Sequence, residues 1–197
     1  MFIKVVYVVF TYLCGSIPFA YIIAKGKNID IRNVGSGNVG TTNVLRCIGK
    51  KAGAITLVTD ILKGFLPMYF ATLMYDSISY NVIVATFAIL GQMFPIFLNF
   101  HGGKGVAIGF GVFSVIMTFP LFIAFSIFFI IFMISKYVSV GVICATISIP
   151  IISYYLGYDV KYVIFSFIIA VLIIYKHKSN INRLTKGIEN KLEVFKK

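Results

Sequence analysis

Residues 79–98 read SYNVIVATFAILGQMFPIFL, a stretch without a single Lys, Arg, Asp or Glu. A bilayer core about 30 Å thick is crossed by roughly 20 apolar residues wound as a helix. The stretch therefore predicts a membrane span, and the sequence on both sides repeats the pattern. Apolar runs at about 5–24, 53–74, 105–119, 120–135, 137–156 and 159–175 complete a set of seven candidate helices. Gly109 and Gly111 loosen the run at 105–119, and Pro120 marks the turn into the next. That pair is expected to form two short helices or one bent hairpin.

Composition points the same way. Of 197 residues, 59% are hydrophobic and 12% charged, against about 25% charged in an ordinary globular domain. Such a chain has too little polar sequence to cover a water-facing surface. The expected fold is all-α: a polytopic membrane helix bundle of about seven spans, forming a single domain over residues 1–197. Lys4 followed by an apolar run resembles a signal peptide, but the run continues to about Ala24 with no A-x-A site, which suits a retained first span. Cys14, Cys47 and Cys144 show neither C-x-x-C nor metal-ligand spacing, so neither a disulfide framework nor a metal site is expected.

The formal net charge is +12. Its distribution argues for a membrane rather than nucleic acid as the partner. If the N-terminus lies outside, the connections around 25–52, 99–104 and 136 and the tail from 176 all face the cytoplasm. These hold 15 of the 18 Lys and Arg residues, and only Lys4, Lys161 and the intramembrane Lys63 fall elsewhere. The positive-inside rule favours this orientation. Part of the excess serves only topology and a grip on anionic lipid.

Three polar segments collect on that same side. The first is Gly35-Ser36-Gly37-Asn38-Val39-Gly40-Thr41-Thr42-Asn43, followed by Arg46. Glycines allow tight turns that aim backbone N–H groups at an anion, and Ser, Thr and Asn add neutral donors. The segment lacks the Lys of a G-x-x-x-x-G-K-[ST] loop, and no strand precedes it, which argues against nucleotide binding. A helix starting near Thr41 or Thr42 would put Asn43 and Arg46 on one face. A plain flexible connection is the alternative reading.

The second segment runs from Gly91-Gln92 through Asn99-Phe100-His101-Gly102-Gly103-Lys104-Gly105, with one fixed cation among glycines. The third leaves the last span as His177-Lys178-Ser179-Asn180-Ile181-Asn182-Arg183, with Gly187 and Glu189 beyond. In a continuous helix His177, Asn180 and Arg183 would share a stripe. Within the second span, Asp60 and Lys63 lie three residues apart. Charges in lipid are costly and usually pair, so a structural pair that braces the bundle is expected, with a substrate contact from Lys63 as the alternative.

Taken in order, GSGNVGTTNVLR, GQMFPIFLNFHGGKGVA and HKSNINRLTKGIE resemble the three cytoplasmic motifs of the bacterial acyl-phosphate:glycerol-3-phosphate acyltransferases, the PlsY family, and DILKGFLP in the second span is similar as well. The resemblance implies transfer of a fatty acyl group from acyl phosphate to the 1-position of glycerol 3-phosphate, giving lysophosphatidic acid and phosphate in phospholipid synthesis. No metal, nucleotide cofactor, nucleic acid or obligate protein partner is implied, and the implied location is the bacterial inner membrane with a cytoplasmic active site. Ser36, Asn38, Asn43 and Arg46 would bind and polarise the acyl phosphate, with Gly35, Gly37 and Thr42 in the same loop. Gly102, Gly103 and Lys104 would hold glycerol 3-phosphate, and His177, Asn180 and Arg183 would close the site. The family usually has His where this chain has Gln92, Ala at Thr41, Thr at Ile108 and Arg at Lys176.

No Asp or Glu occurs in the first two motifs, and neither H-x-x-x-x-D nor G-x-S-x-G is present. Acyl phosphate is already activated, so the expected catalysis is positioning and charge stabilisation. The attacking hydroxyl's proton would go to His177 or to a phosphate oxygen of the donor, the second being favoured. A transporter for an organic phosphate is the competing class. It would call for matched, glycine-broken halves, which the sequence lacks.

Overall fold

The computed structural model describes residues 1–192, which are all-helical, with no strand among them. Two of the seven tail cations, Lys196 and Lys197, lie outside the described residues. The chain forms two compact units, Met1–Ile116 and Met117–Lys197.

The first unit contains α1 (Phe2–Ser16), α2 (Phe19–Lys25), α3 (Thr41–Cys47), α4 (Lys50–Met74), α5 (Ile78–Met93), a 3-10 turn at Ile96–Leu98, and α6 (Val106–Ile116). The first expected span is broken into α1 and α2. Pro18 drives Ile17 out of the helical region, to ψ 117°, which leaves the Ile17 carbonyl outside the helical ladder. Long helices pack through glycines, because only a missing Cβ lets two backbones approach closely in a lipid-facing bundle. A Cβ on Gly91 of α5 would meet the Tyr12 carbonyl and the Gly15 backbone of α1. One on Gly111 of α6 would meet the Ile61 carbonyl and Phe65 N–H of α4. Gly111 thus serves packing rather than loosening the helix. Tyr7 Oη and Tyr12 Oη donate to the Pro67 and Phe94 carbonyls at 2.7 and 2.8 Å, tying α1 to its neighbours.

The helix expected over 105–119 is shorter than the sequence suggests. At 11 residues, α6 is about 16 Å long, roughly half a bilayer core. The turn after it falls at Met117, and Pro120 sits in the first turn of the next helix, where a missing N–H costs nothing.

The second unit contains α7 (Thr118–Ser135), α8 (Val138–Tyr155), α9 (Val160–Lys176) and α10 (Lys178–Thr185). Lys136, at φ 63°, reverses the chain between α7 and α8. A Cβ on Gly141 would stand 3.0 Å from both the Phe128 ring and the Phe128 carbonyl, and Phe128 stacks on Phe132 with ring centroids 5.9 Å apart. Asp159 caps α9 by accepting the Lys161 N–H at 2.8 Å. Between α9 and α10 the axis bends by 56°.

By length and composition, five helical segments could cross a membrane, or six with the bent pair. Phe119, Phe122, Phe129, Ile130 and Ile134 of α7 are exposed, which suits a helix whose outer face meets lipid.

Candidate active site

The first motif is a loop built on one buried amide. Ile31, Val39 and Val44 sink into a core with Ala20, Ala24, Ala52 and Leu98, pinning the segment at three points. Between them, Asn43 is 2% exposed. Its Oδ1 accepts the Ser36 N–H at 2.9 Å, while Nδ2 donates to the Val34 and Ile31 carbonyls at 3.0 and 3.2 Å. Both amide hydrogens are thus spent inside the protein, so Asn43 shapes the loop. Gly35 and Gly37 take φ of 61° and 68°, in the left-handed region that favours glycine. A Cβ on Gly35 would also strike Asn43 Oδ1 and stand 2.5 Å from Cys47 Sγ.

The result holds Ser36 at an exposed tip, with its hydroxyl 3.5 Å from the Asn38 N–H it faces. α3 begins at Thr41, which meets the condition for Asn43 and Arg46 to share a face, with Thr42 half-buried at its start and Arg46 half-buried near its end. On the outer flank, Arg32 pairs with Asp30 at 2.6 Å and lies 4.9 Å over the Tyr21 ring. Hydrogen bonding from the Arg32 side chain holds the Asp30 carboxyl down at about 2.

The second motif folds back on its own helix. Asn99 and Phe100 both take left-handed φ, 50° and 62°, turning the chain so that the Gly103 N–H donates to the Gln92 carbonyl at 3.0 Å. For Phe this conformation is strained, and the surrounding fold must compensate. Gly102 and Gly103 are glycines for want of room. A Cβ on Gly102 would collide with the Gln92 carbonyl and the Pro95 ring; one on Gly103 would stand 2.9 Å from both Gln92 Nε2 and the Val39 carbonyl. The first two motifs therefore meet, with Gly103 wedged between them and Lys104, half-buried, next in line.

Beneath this junction lies a buried polar chain. Lys63 Nζ stands 3.0 Å from Asp60 Oδ1 and donates at 2.7 Å to the Ile17 carbonyl at the Pro18 break. Gln92 Nε2 donates to Asp60 Oδ2 at 3.2 Å. The expected Asp60–Lys63 pair is present. Its link to Gln92 was missed, although a glutamine in an otherwise apolar span was the available signal.

In the second unit, the third motif does not form the single helical stripe expected of it. The helix breaks at His177, which is 3% exposed and whose Nδ1 lies 2.8 Å from the Ile173 carbonyl. A carbonyl only accepts, so Nδ1 carries the proton and Nε2 of the neutral ring is the acceptor nitrogen. Asn180 and Arg183 still share a face of α10, and both reach Glu189. Asn180 Nδ2 and Arg183 Nε each donate to the carboxylate at 2.6 Å, and Ser139 Oγ donates at 3.1 Å. Gly187, at φ 68°, ends α10 with Gly187 N–H to the Leu184 carbonyl and Ile188 N–H to the Arg183 carbonyl, and so turns Glu189 inward. Burial pushes the Glu189 carboxyl up, but the hydrogen bonds from Asn180 and Arg183 outweigh it and hold the group below its ordinary value. Glu189 and Ser139 were not among the expected site residues; the Gly187 turn was the sequence signal for the first.

The loops of the first unit thus bring the glycine turn around Ser36 and the Gly103 junction together, with Arg46 and Lys104 in the same two segments, a composition suited to phosphate. Among the described residues, no three of His, Cys, Asp or Glu gather as a metal-binding group.

A family model described as glycerol-3-phosphate acyltransferase matches residues 5–187. The chain is 59% identical to a protein of that name from Endomicrobium trichonymphae over the full length of both, and 45% identical to one from Aquifex aeolicus over 93% of this chain and 96% of the relative. It is also similar to crystal structures of PlsY, an integral membrane glycerol 3-phosphate acyltransferase. The glycerol 3-phosphate form aligns at a TM-score of 0.92, with 42% identity over 96% of each chain. The lysophosphatidic acid form aligns at 0.89, with 40% identity over 96% of this chain and 95% of the other. By motif order, fold and near full-length similarity, the chain belongs to the glycerol-3-phosphate acyltransferase family.

Proposed function

We propose that this protein transfers a fatty acyl group from acyl phosphate to the 1-hydroxyl of glycerol 3-phosphate. The hydroxyl oxygen bonds to the acyl carbon, the acyl–phosphate bond breaks, and lysophosphatidic acid and inorganic phosphate leave. The observation that carries this reading is the match to a structure solved in two forms, with glycerol 3-phosphate and with lysophosphatidic acid, which are the acceptor and the product of this reaction. The junction at Gly103 supports it further, because it unites two donor-rich loops suited to phosphate groups.

The residues divide by role. Ser36, Asn38, Thr42 and Arg46, on the turns made by Gly35 and Gly37, engage the acyl phosphate and disperse the charge that grows on the departing phosphate. Asn43 keeps that loop in shape. Gly102, Gly103 and Lys104 take the phosphate of glycerol 3-phosphate. His177, Asn180 and Arg183 serve the same reaction. The attacking hydroxyl loses its proton to a phosphate oxygen of the donor. The alternative acceptor is His177 Nε2, whose tautomer suits it. The enzyme sits in the bacterial inner membrane with its N-terminus outside and its three motifs on the cytoplasmic side. Lipids surround it, the acyl chain enters laterally, and glycerol 3-phosphate arrives from water.

Purified protein given acyl phosphate and glycerol 3-phosphate is expected to release phosphate and form lysophosphatidic acid in equal amounts. No product, together with uptake of glycerol 3-phosphate into proteoliposomes, would overturn the enzyme reading in favour of transport. The proton acceptor is tested by His177→Gln with substrate binding shown intact: retention of much of kcat fits the donor phosphate, whereas a loss of about a thousandfold assigns the role to His177.

A further inference from the structure

We propose that Gln92 is a positioning residue, which carries the rigidity of the buried Asp60–Lys63 pair into the 99–105 loop and thereby sets where Lys104 presents its charge. The inference rests on the assignment of that loop to glycerol 3-phosphate and goes beyond it. It starts from the fact that Gln92 is bound at both ends. Its backbone carbonyl accepts the Gly103 N–H at 3.0 Å, and its side-chain amide donates to Asp60 Oδ2 at 3.2 Å.

Asp60 is itself immobilised. It is 2% exposed and stands 3.0 Å from Lys63 Nζ, which is anchored in turn on the Ile17 carbonyl at 2.7 Å. Four segments are therefore joined in series: the α1–α2 break, α4, the last turn of α5, and the glycine loop. Each link is short and lies largely away from water, and such networks resist displacement because every polar atom released from its partner is stranded away from water. The turn at the start of the loop has bonds of its own, Phe100 N–H to the Pro95 carbonyl at 2.9 Å and His101 N–H to the Leu98 carbonyl at 3.0 Å, whereas Gly103 is tied back to α5 through the Gln92 carbonyl. The loop's glycines carry no side chains, and Gly103 touches Gln92 on one side and Val39 on the other. A bracing role for the pair explains why two charges are buried; it does not explain why an amide on the neighbouring helix links them to the residue preceding Lys104.

The decisive variants are Gln92→Met, which keeps the length and removes the donor, and Gln92→His, whose Nε2 is three bonds from Cβ, as is the amide nitrogen of Gln. With Gln92→Met, KM for glycerol 3-phosphate is expected to rise about tenfold, with KM for acyl phosphate within about twofold and kcat much less affected. Gln92→His is expected to restore KM. Hydrogen exchange of the Gly103 amide should quicken by about tenfold in Gln92→Met, with the helices of the first unit unchanged. This readout does not depend on catalysis, so wild-type protein with no acyltransferase activity would sink the functional reading while leaving this test in force. If Gln92→Met does not assemble, the paired variant Asp60→Leu, Lys63→Met removes both charges without stranding one, together with the oxygen that accepts from Gln92, and is expected to give the same two changes. Unaltered Gly103 exchange, or equal effects on both KM values without rescue by Gln92→His, would overturn the proposal and leave the network as bracing only.

Discussion

The 30–47 loop and the 177–189 segment solve one problem in two ways. Each must hold several polar groups in a fixed arrangement on a short piece of chain, and each does so around a single buried hub. In the first the hub is a neutral amide: Asn43 gathers one N–H and two carbonyls. In the second it is a carboxylate: Glu189 gathers donors from Ser139, Asn180 and Arg183. The choice follows from what must be held. A loop of backbone groups offers both donors and acceptors, and only an amide matches both. Three side-chain donors, one of them cationic, are best matched by an acceptor with charge. The amide hub is indifferent to pH, whereas the carboxylate hub is not.

Exchanging the hub chemistry tests this contrast, and Asn43→Asp is expected to have the largest effect. The change is nearly isosteric, yet it replaces the NH2 that makes both donations with an oxygen facing the Val34 and Ile31 carbonyls. Losing two buried hydrogen bonds to repulsion costs about 3 kcal/mol or more. A fall in kcat/KM of a hundredfold or more is expected, with faster exchange over residues 31–43. Near-normal activity in this variant would show that the amide hub is not what shapes the loop.

The converse exchange, Glu189→Gln, should be milder. It keeps one acceptor oxygen but sets an NH2 against donors and removes the charge facing Arg183, which is 23% exposed and so partly solvated already. A loss of about 2 kcal/mol is expected, read as a lower thermal midpoint and faster exchange in α10.

Acid offers a gentler separation of the hubs. The Glu189 carboxyl is held below its ordinary value of 4.5, so its contribution to stability is complete above about pH 4.5 and is lost as pH falls through the lower folded-state value. Protection against exchange over 177–189, taken relative to the intrinsic rate, is expected to fall below pH 4.5, while exchange at the Ser36 amide follows only the intrinsic pH dependence. Equal acid sensitivity at both places would erase the distinction. Smallest of all, Thr41→Ala removes a buried hydroxyl that has no hydrogen-bond partner among the described residues. Stability is expected to change by less than about 1 kcal/mol, with activity near that of wild type.

Much of the architecture was legible along the chain because membrane spans announce themselves locally: about 20 apolar residues suffice, whatever their neighbours. The three polar segments were legible for a related reason. Gly, Ser, Asn and a cation between apolar runs have little part in packing against lipid. Local rules failed where a residue's role depended on a distant partner. Gly111 reads as a helix breaker until Ile61 and Phe65 are seen pressed against it. Asn43 reads as a ligand donor until its amide is found bonded to Ser36, Val34 and Ile31 of the loop itself. His177, Asn180 and Arg183 read as one stripe until the 56° bend separates the first from the other two.

By itself, therefore, the sequence determined that this is a helical membrane protein with three donor-rich segments whose order and content resemble one acyltransferase family. Hydropathy and composition are sums over neighbouring residues, and the chain carries them wherever it folds. Tertiary structure alone decided which polar groups face outward and which are consumed as hubs, that Gly103 joins the first two motifs, and that Gln92 ties that junction to Asp60. A hydrogen bond acts over about 3 Å, and between residues 32 positions apart only the fold can set that distance.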